Sequence, residues 1–248
     1  MDIEGTVHSA SWENAEASVQ VPYSIAGVST TIVISSKFTG RMMLLDVGDG
    51  ALRDLVSTGN TDFVNEIDVI AITHGHFDHM GGLHSLLGFM RMLGRTSQLN
   101  VLVPRRCSEV INTVSAFRAA YHESTSFKVT YEEIEPGSGF DTDFFKIQAY
   151  RVEHWGQENT TGKELLMPAL GFRVQVGQTT IGFTGDTRVC PGALAVVTGT
   201  DLAIIEATHK KAPSRPAVHM SEAEAMKLGS LAKHSLLIHR TPEGVVPA

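Results

Sequence analysis

The chain has 248 residues, 42% of them apolar and 19% charged, an ordinary globular composition that can bury a sizeable core and excludes a low-complexity chain. Its formal charge of −7 argues against broad, nonspecific affinity for nucleic acid, which needs many Lys and Arg contacts to phosphate, and leaves room only for a local basic patch. Only Cys107 and Cys190 occur, without zinc-type spacing, so neither a disulfide framework nor a cysteine metal site is indicated. In chain order, apolar and β-branched runs predict strands at "TTIVISS" (30–36), "RMMLLDVG" (41–48) and "IDVIAITH" (67–74). From Met80 the residues Leu83, Leu86, Leu87, Met90 and Leu93 recur at helical period, and "NVLVP" (100–104) follows as a strand. A second helical face carries Val110, Ile111, Val114, Phe117 and Tyr121. Strands are then predicted at 127–134, 144–154, 169–176, 179–187 and 201–208. A third helix opens at Ser221, with Glu224 completing a capping box, and "SLLIH" (235–239) is the last strand. Many strands with interspersed helices predict a layered α/β protein.

The stretch "THGHFDHMGG" (73–82) places three histidines and an aspartate within six residues, where a strand ends and glycines follow. Histidines are seldom clustered for packing, because each buried imidazole needs hydrogen-bond partners; clustered imidazoles with a carboxylate suit a transition metal. His74 and His76, two apart on extended chain, can face one ion. The turn that begins the next helix brings Asp78 and His79 round to a second. His154, Asp186 and His239 also stand at the ends of predicted strands, so four strands can deliver ligands to one point. Two divalent ions about 3.5–4 Å apart share a water and make it a nucleophile near neutral pH, which is hydrolytic chemistry. His8, His84, His122 and His234 read as ordinary structural or surface residues. No basic leader with an apolar run stands at the start and no window has the length of a membrane span, so the expectations are no membrane partner and a cytoplasmic protein.

These residues resemble the signature of the metallo-β-lactamase superfamily of dinuclear metal hydrolases. The resemblance extends through "MLLDVGDG", "RVEHW", "FTGDTR" and "LLIHR", and it implies an αββα sandwich forming one domain over residues 1–248. It further implies one ion held by His74, His76 and His154 and a second by Asp78, His79 and His239. Asp186 would bridge the two, and Asp46 would orient ligands from behind. Zinc is the metal expected first and manganese the alternative.

Within the superfamily, "TGDTR", "DLAIIEATH" and "HMSEAEAMKLGSLAK" resemble ribonuclease Z and its relatives, which implies a His219–Glu206 pair working in proton transfer to the leaving group, with Asp78 at the attacking water. A phosphodiester substrate such as RNA follows, and homodimers are common among similar proteins. The run "HKKAPSRP" (209–216) would put Lys210, Lys211 and Arg215 near the mouth. Three departures stand out: His209 where the family usually carries Phe, a last motif reading "IHRTPEGVVPA", and a separation of only 32 positions from His154 to Asp186. That interval has no room for the long arm with which ribonuclease Z grips tRNA, which argues against processing of whole tRNA. The competing readings are an ester, lactone or thioester hydrolase on the same scaffold, and a noncatalytic nucleic-acid-binding member.

Overall fold

The computed structural model describes residues 9–57, 59–157, 163–211 and 218–242. In chain order these form β1 (Ala10–Glu13), β2 (Ala17–Ile25), β3 (Ser29–Ser36), β4 (Met42–Val47), α1 (Ala51–Val56), α2 (Phe63–Glu66), β5 (Ile67–Ala71), α3 (Phe77–Met80), α4 (Leu83–Met92), β6 (Leu99–Pro104) and α5 (Ser108–Tyr121). There follow β7 (Val129–Ile134), β8 (Gly139–Asp141), β9 (Lys146–Arg151), β10 (Trp155–Gln157), β11 (Glu164–Leu166), β12 (Leu170–Val176), β13 (Thr179–Phe183), α6 (Pro191–Val197), β14 (Leu202–Glu206), α7 (Glu222–Gly229) and β15 (His234–Ile238).

One sheet runs β1-β2-β3-β4-β5-β6-β7 and the other β15-β14-β13-β12-β9-β8, with β10 and β11 as a separate hairpin. The alternation of side chains along each strand makes the layers. In β4, Met43 and Leu45 enter the core between the sheets, while Leu44 faces the helical side with residues of α1, α4 and α5. In β14, Leu202 and Ile204 join the inter-sheet core, and Ala203 and Ile205 pack under α6 and α7. Strands buried on both faces read as continuous apolar runs, which is how they appear in the sequence. The outcome is helix, sheet, sheet, helix: the αββα sandwich.

Strands β4 to β7 are parallel, as are β13 to β15, so their C-terminal ends gather at one end of each sheet. Strand β9 runs in the same direction as β13, both being antiparallel to β12. The strands predicted over 67–74, 144–154, 179–187 and 201–208 stop at Ala71, Arg151, Phe183 and Glu206. Just beyond three of those ends, Thr73, Thr187 and Thr208 hydrogen-bond to the carboxylates of Asp46 and Glu206. The helix predicted from Met80 is divided by Gly81 and Gly82 into α3 and α4. Leu93 lies beyond the end of α4 and is 44% exposed, since Gly94 (φ 69°) turns the chain away before it can join the core face. The capping box at α7 forms: Ser221 Oγ accepts from Glu224 N–H at 3.4 Å, and Glu224 Oε2 accepts from Ser221 N–H at 2.9 Å. Among the described residues no helix is long and apolar enough to cross a membrane.

Candidate metal centre

The loop after β5 is anchored before it reaches its first histidine. Asp46, near the end of β4, is fully buried and takes φ 59°, a left-handed conformation that most residues with a Cβ avoid and that Asp and Asn tolerate best. Its Oδ1 accepts from Thr73 N–H at 2.7 Å and its Oδ2 from the Thr73 hydroxyl at 2.8 Å, while Oδ2 also faces His79 Nδ1 at 2.7 Å. One carboxylate therefore fixes both ends of the motif. The loop after β4 presses against it closely: a Cβ on Gly48 would stand 2.2 Å from the Asp78 carbonyl oxygen, so only glycine fits.

His74, His76, His154 and Asp186 each offer a ligand atom within 4.8 Å of the others, and Asp78, His79 and His239 do the same. Asp186 Oδ1 lies 3.3 Å from His79 Nε2 and 3.5 Å from His239 Nδ1, which puts this carboxylate between the two groups. Asp186, His219 and His239 form a third combination. Far-side nitrogens are spoken for: His74 Nδ1 faces the Thr73 hydroxyl at 3.1 Å and His239 Nδ1 the Thr208 hydroxyl at 2.9 Å. Such partners hold an imidazole with its other nitrogen aimed inward.

The inward atoms are short of partners. His74 Nε2, His154 Nδ1 and Asp186 Oδ1 are buried without a hydrogen bond. His154 Nε2 meets His76 Nδ1 at 3.2 Å, and His79 Nε2 meets His239 Nε2 at 3.2 Å. Buried polar atoms left in this state are rare and costly, and lone pairs converging on one another want a cation between them. Five imidazoles, two carboxylates and no thiolate fit two divalent transition-metal ions.

The ionisation states of His74, His154, Asp78 and Asp186 agree with that. Burial pushes His154 down to about 3 and His74 well below the ordinary range, leaving both as the neutral imidazoles a metal requires. Burial pushes Asp78 upward, but the His239 hydrogen bond and the nearby His79 outweigh it and hold the carboxyl at about 2. Burial likewise pushes Asp186 upward, and His239 and His79 hold it well below the usual carboxylate range. Conversely, burial depresses His79, yet Asp186 and Asp46 raise it well above the ordinary value. Ionised carboxylates this deep demand positive charge.

Beside this cluster stands a second pair. Glu206 Oε1 accepts from Thr187 N–H at 2.9 Å and faces His219 Nδ1 at 3.0 Å; its Oε2 accepts from the Thr208 hydroxyl at 2.8 Å. His219 Nδ1 is also 3.8 Å from Asp186 Oδ2. Burial lowers His219, but Glu206 and then Asp186 raise it to about 9. His209 sits 6.1 Å from His219 by ring centroid, with its backbone bridged to Ser221, and Lys210 and Lys211 follow on the same loop. Arg215 and His8 lie outside the described residues. His84 packs on Phe117 at 6.0 Å, His122 Nδ1 faces the Ala119 carbonyl at 3.2 Å, and His234 opens β15 beside Trp12.

Three contributors were not singled out by the sequence. Thr73 and Thr208, quoted within "THGHFDH" and "EATH", each join a carboxylate to a histidine, a role that threonine next to a ligand motif could have signalled. Gly27, whose N–H donates to Asp78 Oδ2 at 2.8 Å, comes from the β2–β3 turn and leaves no signal in the sequence.

A family model described as "Beta-lactamase superfamily domain" matches residues 44–239. A ribonuclease Z from Archaeoglobus fulgidus is 36% identical over 118 residues, which are 48% of this chain and 37% of that protein, so the match spans well under half of that relative. A ribonuclease Z from Thermococcus sibiricus is 27% identical over 247 residues, covering 84% of this chain and 80% of that protein. The crystal structure of the short form of human tRNase Z superposes with a TM-score of 0.72 at 21% identity, covering 93% of this chain and 95% of the other, a likeness of fold.

Proposed function

Because the chain belongs to the metallo-β-lactamase superfamily, we propose that it is a dinuclear metal-dependent hydrolase of phosphodiester bonds, similar to ribonuclease Z, that works with two zinc ions, manganese being the alternative. The observation that carries the phosphodiester reading is the His219–Glu206 pair, 3.0 Å apart and flanking Asp186. An alkoxide leaving a phosphodiester needs a proton, which an imidazole held by a carboxylate beside the shared aspartate is placed to give.

His74, His76 and His154 would hold one ion, and Asp78, His79 and His239 the other, with Asp186 shared. When bound, the ions supply Lewis acidity and a water acidic enough to attack near neutral pH. The chain's own residues do the rest. Asp78, whose Oδ2 accepts from Gly27 N–H, would orient the attacking water and take its proton. Glu206 engages His219 at Nδ1, which leaves Nε2 to deliver a proton to the departing oxygen. Afterwards Glu206, fixed by Thr187 and Thr208, keeps the ring in the same orientation for reprotonation.

A parallel screen tests the reading: bis-p-nitrophenyl phosphate, cyclic nucleotides, an RNA 3′ trailer, a lactone and a thioester, assayed with metal-loaded protein. Turnover of the phosphodiesters is expected. Turnover of only the lactone or thioester would replace the reading with an acyl hydrolase, and no turnover at all with a binding protein.

A further inference from the structure

We propose that a cleft beside the metal centre, lined by Arg105, Arg106 and Arg151, is a subsite for a nucleotide of an RNA strand next to the one being cut. The inference rests on the phosphodiester reading above and names its substrate class. The cleft has a volume of about 450 Å³, within the range of small-ligand sites and enough for one nucleotide. It opens between the ends of β6, β7 and β9 and the segment Leu166–Leu170. These strand ends share the end of the sheets that carries the ligands, and two hydrogen bonds join the cleft wall to the site: Leu170 N–H to Thr73 O at 2.9 Å and Met167 N–H to His154 O at 2.9 Å. On the other side, a Cβ on Gly75 of the metal motif would stand 2.6 Å from Glu109 Oε2 and 3.1 Å from Cys107 Sγ, next in the chain to Arg106.

The charge of the cleft runs against that of the molecule. Three arginines and one acidic residue, Glu135, line it, with Glu133 bonded to the Arg106 backbone at its edge, in a chain whose net charge is −7. Glu135 is already paired with Arg105. Among the described residues Arg106 and Arg151 have no ion-pair partner, although arginine readily finds one. Arg106 also adopts φ 67°, a left-handed conformation unfavourable for a side chain with a Cβ and held by Glu133, which accepts from its N–H at 2.9 Å. The opposite wall, Leu166, Met167 and Pro168, is apolar and suits a base or ribose, while the arginine forks suit the phosphate.

The test combines binding with kinetics. Metal-loaded protein is titrated with a fluorescein-labelled phosphorothioate oligouridylate, which resists cleavage, across a series of salt concentrations. If Arg106 and Arg151 each contact one phosphate, the slope of log K against log salt becomes shallower by about 1.4 in R106A/R151A, while R106K/R151K keeps the slope. The kcat/KM for an unmodified oligouridylate, taken relative to bis-p-nitrophenyl phosphate, falls roughly tenfold or more in the alanine variant. An unchanged slope and ratio in a folded alanine variant overturns the subsite. Equal binding of an acidic peptide of matched charge overturns the assignment to RNA. If the wild type hydrolyses no diester yet shows the arginine-dependent slope, the reaction is wrong and the subsite stands.

Discussion

Asp46 Oδ2 and His79 Nδ1 lie 2.7 Å apart, both side chains sealed from solvent, while the opposite nitrogen of the same ring faces His239. The carboxylate thus decides which nitrogen of His79 is presented to the site. Asp46→Ala is expected to lower zinc affinity about 10–100-fold, as removal of such outer partners does. Asn tolerates the left-handed backbone of this position, so Asp46→Asn separates loss of charge from loss of conformation. Competition with a chromophoric chelator measures both. Wild-type affinity in the alanine variant would show that the carboxylate does not orient a ligand.

His219 stands close enough to Asp186 and His239 to be a third ligand group, and close enough to Glu206 to be an acid. The two roles separate by experiment. As an acid, His219→Ala slows substrates with poor leaving groups by about 10²–10⁴ and spares p-nitrophenyl esters, at unchanged metal content. Equal losses on both substrate types, with metal lost on dialysis, would make His219 a ligand. Asp186→Ala is expected to empty both positions together, since its carboxylate lies between the two groups.

The parts of this design that were legible in the sequence are those with strong local chemistry. β-branched runs marked the buried strands of both sheets, and "SEAE" marked the start of α7 because its cap is built from side chains. Helix α1 starts at Gly50 with no side-chain cap, and α6 is capped by the Cys190 thiol, which accepts from Ala193 N–H at 3.4 Å. Neither start carries the usual Ser, Thr, Asp or Asn signal. Strands β1 and β2 were missed because "SWENAEASVQVPYSI" mixes polar residues with a proline, and β2 accommodates it at a bulge between Gln20 and Tyr23. The metal motif was legible as a cluster of residue types. The place of Asp46 behind it came with the family resemblance, whereas the arrival of Gly27 from the β2–β3 turn is made by tertiary structure, which no local pattern records.

Protonation of His219 links the site to stability. Burial lowers this imidazole, but Glu206 and Asp186 raise it from 6.5 to about 9. Its contribution to folding is therefore complete below pH 6.5 and is lost as the pH rises through 9. His79, also raised, acts in the same direction. Urea unfolding of the metal-free protein should show stability falling across that window, with a flatter fall in His219→Gln. An identical fall in the variant would remove His219 from the effect.

Arg95, just beyond the end of α4, is wholly buried. Its Nε donates to Ser97 O at 2.8 Å, Nη2 to Ile67 O at 2.6 Å and Gln98 O at 2.9 Å, and Nη1 to Val64 O. Burial, with Arg41 nearby, lowers it to about 10, so it stays charged at neutral pH. The guanidinium closes the junction of α2 and β5 by satisfying four carbonyls at once. Arg95→Met fills similar space but leaves those acceptors unpaired, and should cost more than about 3 kcal/mol in urea unfolding. Arg95→Lys should recover part of it. A loss below about 1 kcal/mol in the methionine variant would mean that water reaches the carbonyls.

The last prediction concerns how far from the cut the chain can hold its substrate. After His154 the chain enters the hairpin of β10 and β11, closed in register from Trp155↔Leu166 to Gln157↔Glu164, and then β12 and β13 lead straight to Asp186. The two ligands stand only 32 positions apart, and among the described residues that interval is largely strand. Remote contacts raise kcat/KM by holding a large substrate over the reacting atoms, and for tRNA those contacts are made to phosphates distant from the scissile bond. The arginine cleft lies next to the metal centre and serves a neighbouring nucleotide only. Measurable hydrolysis of small phosphodiesters and short RNA is therefore expected, with weak and strongly salt-sensitive cleavage of precursor tRNA by the isolated chain. The measurement is kcat/KM for a full precursor tRNA and for a short oligonucleotide at two salt concentrations. Efficient tRNA cleavage that persists at the higher salt would show that another surface, such as a partner copy's loops, supplies the missing contacts, and would make whole tRNA the substrate.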